Sequence, residues 1–263
     1  MEIIGYFASI LIGVSLGLIG GGGSILTVPV LVYLFGVEAG QATVYSLFIV
    51  GTTSIAGSLS YFKDRLINLK TVFVFGIPSI FSVFLTRMFV VPAIPQYLFH
   101  IGGITITKDI LLLLLFAVLM IVASYNMIKS KLPEDKDQGQ AMNYPIVILE
   151  GFFVGMLTGL VGAGGGFLII PALIHFLKLP MKSAIGTSLV IISINSLSGF
   201  VFSLSTIAID WKLIFSITAI AVIGILVGSS VSHKIDGKKL KSAFGWFVLA
   251  MGIYIIIKEF FIH

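Results

Sequence analysis

The sequence has no cysteine. A disulfide framework, a thiolate metal site and a cysteine nucleophile are therefore excluded. Charge is nearly as scarce. Asp, Glu, Lys and Arg make up 10% of 263 residues, against about 25% in an average soluble domain. A soluble chain of this size could not cover its surface with so few charges. No group of His, Asp and Glu has metal-ligand spacing, so no metal is expected. No Gly-Lys-Ser/Thr follows a glycine run, which excludes a phosphate loop, and the glycine spacing misses the dinucleotide fingerprint. The start, Met1-Glu2-Ile3, lacks the basic segment of a signal peptide, so the first apolar stretch is expected to remain in the mature protein.

Apolar residues are what the chain has: 58% of the total, with a mean hydropathy of +1.15. Lipid is the expected solvent. The net charge of +5 does not indicate nucleic acid, because Lys and Arg sit in short runs between apolar stretches, as in cytoplasmic loops. Stretches long enough to span a bilayer, which takes about 20 residues, occur at 43–62, 70–91, 107–130, 185–205, 212–232 and 240–261. Two more, Ile3 to Phe35 and Pro145 to Leu177, are interrupted by glycine at Gly20 to Gly23 and at Gly162 to Gly166.

The halves on either side of a polar linker are related. A shift of 142 residues aligns Gly13–Phe62 with the second half without a gap, and fifteen of the fifty positions are identical. Composition alone gives about four or five. The organisation is read as a first repeat over 1–130, a cytoplasmic linker over 131–143 and a second repeat over 144–263. If each interrupted stretch crosses once, the sixteen Lys and Arg split evenly between the two sides. If each is a hairpin that enters and returns, twelve fall on one side and only Arg87, Lys108, Lys212 and Lys258 on the other. The positive-inside rule favours the hairpins. Length agrees, since Ile25–Gly36 makes about 18 Å of helix against a hydrocarbon core of about 30 Å. The expected fold is an all-α polytopic membrane protein of two inverted repeats. Each carries a glycine-broken re-entrant helical hairpin and about three transmembrane helices, and both termini lie outside.

Inverted repeats with broken helices near the midplane are a transporter signature. Unwound backbone is costly in lipid unless it lines a polar cavity or is buried in protein. The helices that begin after the breaks, at Ser24 and Gly166, offer unpaired N–H groups and a positive dipole end to an anion. Gly20, Gly21, Gly22, Gly23, Ser24, Gly162, Gly164, Gly165 and Gly166 are therefore candidate substrate-binding residues. The pairs Gly13/Gly17 and Gly155/Gly159 fit close helix packing instead. Hydroxyls and an amide downstream, Ser46, Thr187, Ser188 and Asn195, are further candidates, followed by Thr52, Thr53, Ser54 and Ser196. Each has an ordinary alternative role in interhelical or back-bonding contacts.

The segments Gly159-Leu-Val-Gly-Ala-Gly-Gly-Gly-Phe-Leu-Ile-Ile-Pro171 and Ala184-Ile-Gly-Thr-Ser-Leu189 resemble the second-half signature of the TauE/SafE sulfite exporter family. In the first half, Gly17-Leu-Ile-Gly-Gly-Gly-Gly-Ser24, Pro29 and Ala42-Thr-Val-Tyr-Ser-Leu47 match. The resemblance covers nearly the whole chain. It implies movement of sulfite, sulfoacetate or related sulfur-containing or organic anions across a bacterial cytoplasmic membrane. The first half departs from the pattern with Thr43-Val44-Tyr45-Ser46 where the second has Gly186-Thr187-Ser188.

Two charges fall in apolar surroundings. Glu150, whose repeat partner is Ala8, is a candidate for coupling a proton to transport or for the interface. Arg87 is a candidate for attracting anions or anchoring the helix end. His175, the counterpart of Tyr33, is read as structural, and His100 is given no role. The expected activity is secondary transport of a small anion by alternating access. A channel of the same fold and a non-transporting membrane subunit are the alternatives. No catalytic residue pair and no cofactor is implied. The partners are the anion and the bilayer, and a homo-oligomer stays open.

Overall fold

The computed structural model describes residues 2–101, 104–129, 144–162, 166–204, 207–232 and 234–261. The chain is nearly all helical. Its elements are α1 (Glu2–Ile19), α2 (Gly22–Tyr33), α3 (Ala39–Lys63), α4 (Leu69–Leu85), a π-helical turn (Thr86–Val90) and α5 (Val91–Ala93). A strand pair, β1 (Tyr97–Ile101) and β2 (Ile104–Thr107), follows. Then come α6 (Lys108–Lys129), α7 (Tyr144–Val161), α8 (Gly166–His175), α9 (Met181–Ser203), α10 (Trp211–Ser232) and α11 (Gly237–Phe261). The linker over 131–143 lies outside the described residues.

The molecule is apolar on the outside. Phe73, Ile77 and Phe81 make an exposed stripe on α4, and Ile223, Leu226 and Val227 do so on α10. Ser24, Thr53, Ser54, Ser79, Asn195 and Ser196 are buried. Among the described residues, six helices are long and apolar enough to cross a membrane: Ala39–Lys63, Leu69–Ala93, Lys108–Tyr125, Tyr144–Val161, Met181–Ser203 and Trp211–Ser232. A span was also expected over 240–261, where α11 (Gly237–Phe261) lies; among its described residues Gly245–Lys258 form an apolar helix.

The expected all-α class needs a correction at residues 97–107, where β1 and β2 pair antiparallel. Tyr97, Phe99, Ile101, Ile104, Thr105 and Thr107 are aromatic or β-branched residues flanking Gly102-Gly103. That pattern suits a hairpin. His100, which lies on β1, pairs with Thr105.

Helix starts repeat at the 142-residue offset found in the sequence: Glu2 and Tyr144, Ala39 and Met181, Leu69 and Trp211. So do two left-handed backbone positions. Gly20 (φ 78°) matches Gly162 (φ 75°), and Gly36 (φ 69°) matches Lys178 (φ 53°). Packing is reciprocal across the halves. α1 lies on α10 while α7 lies on α4, and α3 crosses α9 while α6 pairs with α11. The halves therefore interleave.

Glycine seams set these contacts. A Cβ on Gly17 would fall 2.5 Å from the Ile225 carbonyl oxygen, and one on Gly13 would overlap that of Ala221. From the other side, Gly224 and Gly228 meet the Ile10 and Val14 carbonyls. Gly151 and Gly155 likewise sit on the backbone of Phe75 and Ser79, and Gly159 on Thr86. The residue order of these contacts makes α1 run alongside α10, and α4 alongside α7, in the same direction. Where apolar burial gives little drive between helices, close backbone approach supplies dispersion contact.

Gly155→Leu would force α4 and α7 apart and is expected to cost about 1–3 kcal/mol or more. Gly76 has nothing within 4 Å of its Cβ position, so Gly76→Ala should stabilise by about 0.5–1 kcal/mol. Thermal unfolding of the detergent-solubilised variants checks both directions.

Candidate functional site around the two glycine breaks

The first break closes an antiparallel helix pair. The Gly20 N–H donates to Leu16 O at 2.7 Å, and the positive φ at Gly20 turns the chain out of α1. Gly21 donates to Ile19 O at 3.0 Å. Gly23 then packs on Ile12 and Leu16, and near the open end Phe35 stacks edge-on to Tyr6 at 5.4 Å, over Gly5. Gly21 is the N-cap of α2, and no side chain caps that helix. In the first turn of α2 the Ser24 N–H donates to Gly21 O at 3.3 Å, while the N–H groups of Gly22 and Gly23 have no intrahelical carbonyl to reach. At the second break, Gly162 donates to Thr158 O at 2.9 Å and takes the same left-handed turn. Gly164 and Gly165 lie outside the described residues. Gly166 begins α8.

The fold brings the two breaks together. A Cβ on Gly166 would lie 3.0 Å from the Cα of Gly21 and 2.5 Å from Ile192 Cδ1. Gly20 sits against Ile185 and Ser188 at the start of α9, and Gly162 against Thr43 at the start of α3. In this structure the Gly21 and Gly166 backbones touch. An anion seated between them requires the two to part.

The predicted hydroxyls divide by what they hold. Ser24 Oγ donates to Gly21 O at 2.6 Å, which braces the first tip. Ser46 and Ser188, repeat partners, donate to Thr43 O at 2.7 Å and Ile185 O at 2.8 Å. Thr187 Oγ1 accepts from the Asn68 N–H at 2.9 Å and so ties α9 to the start of α4. Asn195 donates from Nδ2 to Ser79 Oγ at 2.6 Å, while its Oδ1 is buried without a partner. The hydroxyls of Ser54 and Ser196, exact repeat counterparts, are also buried and unsatisfied. Gly51 packs on Ser196 and Leu197, so this polar group lies at the α3–α9 crossing. Sequence reasoning ranked Ser54 and Ser196 low. Their identity across the offset was the available signal.

Two residues missed in the sequence also hold the region. Tyr61 Oη donates to Gly17 O at 3.2 Å, one turn before the first break, and shares a hydrogen bond with Ser232. Tyr45 Oη accepts from the Asp210 N–H at 2.8 Å.

Glu150 stands apart from the breaks, whereas Arg87 follows Thr86, which packs on Gly159 one turn before the second break. Both Glu150 oxygens are buried with no hydrogen-bond partner. The residue lines a mostly apolar cavity of about 1020 Å³ between α6, α7 and α8, with Tyr125, Lys129, Phe153, Leu168 and Pro171 among its walls. α7 and α8 are splayed there, whereas α1 and α2 pack closely. Val147 and Leu177 stand where Gly5 and Phe35 close the first pair, and Val147 leaves no seat for a ring. Arg87 is only 6% exposed. Its Nε and Nη2 have no partner. Of the described side chains of His, Asp and Glu, no three could share a metal ion.

These features define a multi-pass helical membrane protein whose halves meet at broken helices. The family described as Sulfite exporter TauE/SafE matches residues 6–255, and the chain belongs to it. A probable membrane transporter protein of Xylella fastidiosa is 27% identical over 258 residues, covering 94% of this chain and 91% of the relative. A probable membrane transporter protein of Bacillus subtilis is 25% identical over 260 residues, 93% of each chain. One from Methanocaldococcus jannaschii is 37% identical over 116 residues, 42% of this chain and 43% of the relative. No solved structure matches.

Gly20→Ala would hold alanine at positive φ with its Cβ 2.9 Å from Ile185 Cγ2. The expected loss is about 1–3 kcal/mol. Gly36→Ala, also at positive φ but in open space, should lose only the backbone cost of about 1–2 kcal/mol. Comparing the two unfolding midpoints isolates the packing at the break.

Proposed function

We propose that this protein is a secondary transporter of a small anion, such as sulfite, sulfoacetate or a related sulfur-containing or organic anion. It works by alternating access in a bacterial cytoplasmic membrane. The carrying observation is the contact between Gly21 and Gly166, which sets two helix N-termini of opposite entry direction side by side. In this reading the duplicated halves are inverted repeats, and each glycine break tips a re-entrant hairpin. When the halves rock apart, the amides of Gly22 and Gly23 in α2, with those opening α8, close on the anion's oxygens. Two dipole ends then stabilise negative charge without a fixed countercharge that would hold the substrate too tightly to release. The Ser54 and Ser196 hydroxyls, which can donate to an anion, line the next step of the path at the helix crossing. The chain's opposed entry directions support termini that both lie outside, as the Lys and Arg distribution requires.

Glu150 is the candidate proton carrier. A carboxylate without a hydrogen-bond donor in a mostly apolar cavity is costly as an anion. Proton uptake removes that cost. Of the ionisable groups facing the cavity, Tyr125 and Lys129 bond to each other at 2.7 Å, and neither reaches Glu150.

Proteoliposomes carrying the purified protein should release preloaded labelled sulfite or sulfoacetate faster than empty vesicles, with saturation and counterflow. The absence of flux for every small anion tried would end the proposal. Gly22→Leu, which fills the first tip, is expected to reduce flux at least tenfold while the protein stays folded. Glu150→Gln should abolish accumulation driven by a pH gradient yet keep counterflow. Equal loss of both would remove the proton role.

A further inference from the structure

We propose that the Arg87 guanidinium forms a second anion site, at the π-helical turn that ends α4, where a small oxyanion docks on its way to the glycine breaks. The inference rests on the reading of the substrate as an anion.

The physical case begins with a charge that cannot be discharged. Arginine keeps its proton under all ordinary conditions. Arg87 is 94% removed from solvent by its 6% exposure, and two of its three guanidinium nitrogens have no acceptor. No described carboxylate pairs with it. Asp109, the acid nearest in this region, accepts from Gly40 N–H at 2.9 Å and so serves the start of α3. The other neighbouring charge is of the same sign. Lys108 is near enough to repel Arg87 electrostatically, and its Nζ donates to Val91 O at 2.6 Å. That carbonyl is free because the residue four positions on, Pro95, has no N–H. Lys108 has the neighbouring Asp109 to offset its charge, whereas Arg87 has no described carboxylate. Removing an uncompensated charge from water is strongly unfavourable unless a partner of opposite sign arrives.

The local backbone explains how the side chain comes to be buried there. Pro92 has no N–H to donate back along the helix, and the turn before it widens to a π-helix over Thr86–Val90. Such turns recur at functional sites. In the second half the corresponding residue is Ser229, within the unbroken helix α10. The charge therefore belongs to one half only. Thr86, its neighbour, packs on Gly159, three residues before the second break at Gly162. This places Arg87 one helical turn from the tip.

The ligand class follows from the donor. Nε and Nη2 lie on one edge of the planar guanidinium and present parallel N–H bonds. That edge fits the paired oxygens of a carboxylate, sulfonate or sulfite better than it fits a spherical halide. The same chemistry occurs in a lipid phosphate, so the test must separate the two.

Unfolding midpoints of the full-length protein in detergent would be followed against sulfite, methanesulfonate and chloride. Wild type should be stabilised by the two oxyanions at lower concentration than by chloride. Arg87→Gln is expected to need at least about tenfold more oxyanion for the same shift, consistent with loss of a bidentate charged pair. Its midpoint without anion should equal or exceed that of wild type, since an unpaired charge has been removed. Arg87→Lys keeps the charge and loses the fork, so it should weaken the oxyanion response and spare that of chloride. An unchanged oxyanion response in both variants overturns the site. So does stabilisation by added phosphatidylglycerol with none by free oxyanions, which would assign Arg87 to lipid. If Arg87→Gln titrates like wild type while Gly22→Leu abolishes flux, the second site falls and the glycine-break reading stands. If wild type responds to no anion and moves none, both fall.

Discussion

An amide hydrogen released from its helix inside an apolar medium must find another acceptor, and this chain releases such hydrogens twice. The two glycine breaks are the places where the α-helical ladder stops before the bundle does. Everything around them can be read as support. Gly20 and Gly162 take the left-handed turn, Ser24 braces one tip through its own carbonyl contact, and α2 starts without a side-chain cap. Glycine and serine shape the breaks, and Ile170, Ile185 and Ile192 pack against them.

The glycine seams explain how helices of such similar composition choose partners. Leucine and isoleucine gain nothing by leaving lipid for one another, so shape decides. Gly13, Gly17, Gly224 and Gly228 interlock α1 with α10, and Gly151 and Gly155 seat α7 on α4. Because α1 and α7 are each held by the other half, the breaks are brought to one another by packing far from them. The α1–α2 pair packs closely while α7 and α8 are splayed, and the two pairs differ at the positions of Gly5 and Val147.

Charge in the molecule is asymmetric where the backbone is symmetric. Glu150 and Arg87 correspond to Ala8 and Ser229 across the offset. A duplicated scaffold supplies two equivalent neutral helix ends, and single charged substitutions in one half make the two approaches to them unequal. The chain belongs to the Sulfite exporter TauE/SafE family, and its relatives are named as probable membrane transporters.

Much of this was legible in the sequence. Composition fixed the solvent, and the offset of 142 residues fixed the duplicated elements down to the helix starts at Glu2 and Tyr144. Glycine runs marked the breaks because a left-handed turn combined with close backbone approach favours glycine. These signals are local or periodic, so one dimension carries them. The β1–β2 pair was legible in retrospect but was overridden by the helical character of everything around it. Other features depended on the tertiary structure. That Gly21 meets Gly166, that Thr187 is occupied with Asn68 and that Ser54 and Ser196 are left unsatisfied all depend on residues more than a hundred positions apart. The burial of Arg87 depends on a π-helical turn and on which helix covers it. Local propensity says where a helix starts and stops. Only packing between distant segments says which polar groups are spoken for and which remain open to a ligand.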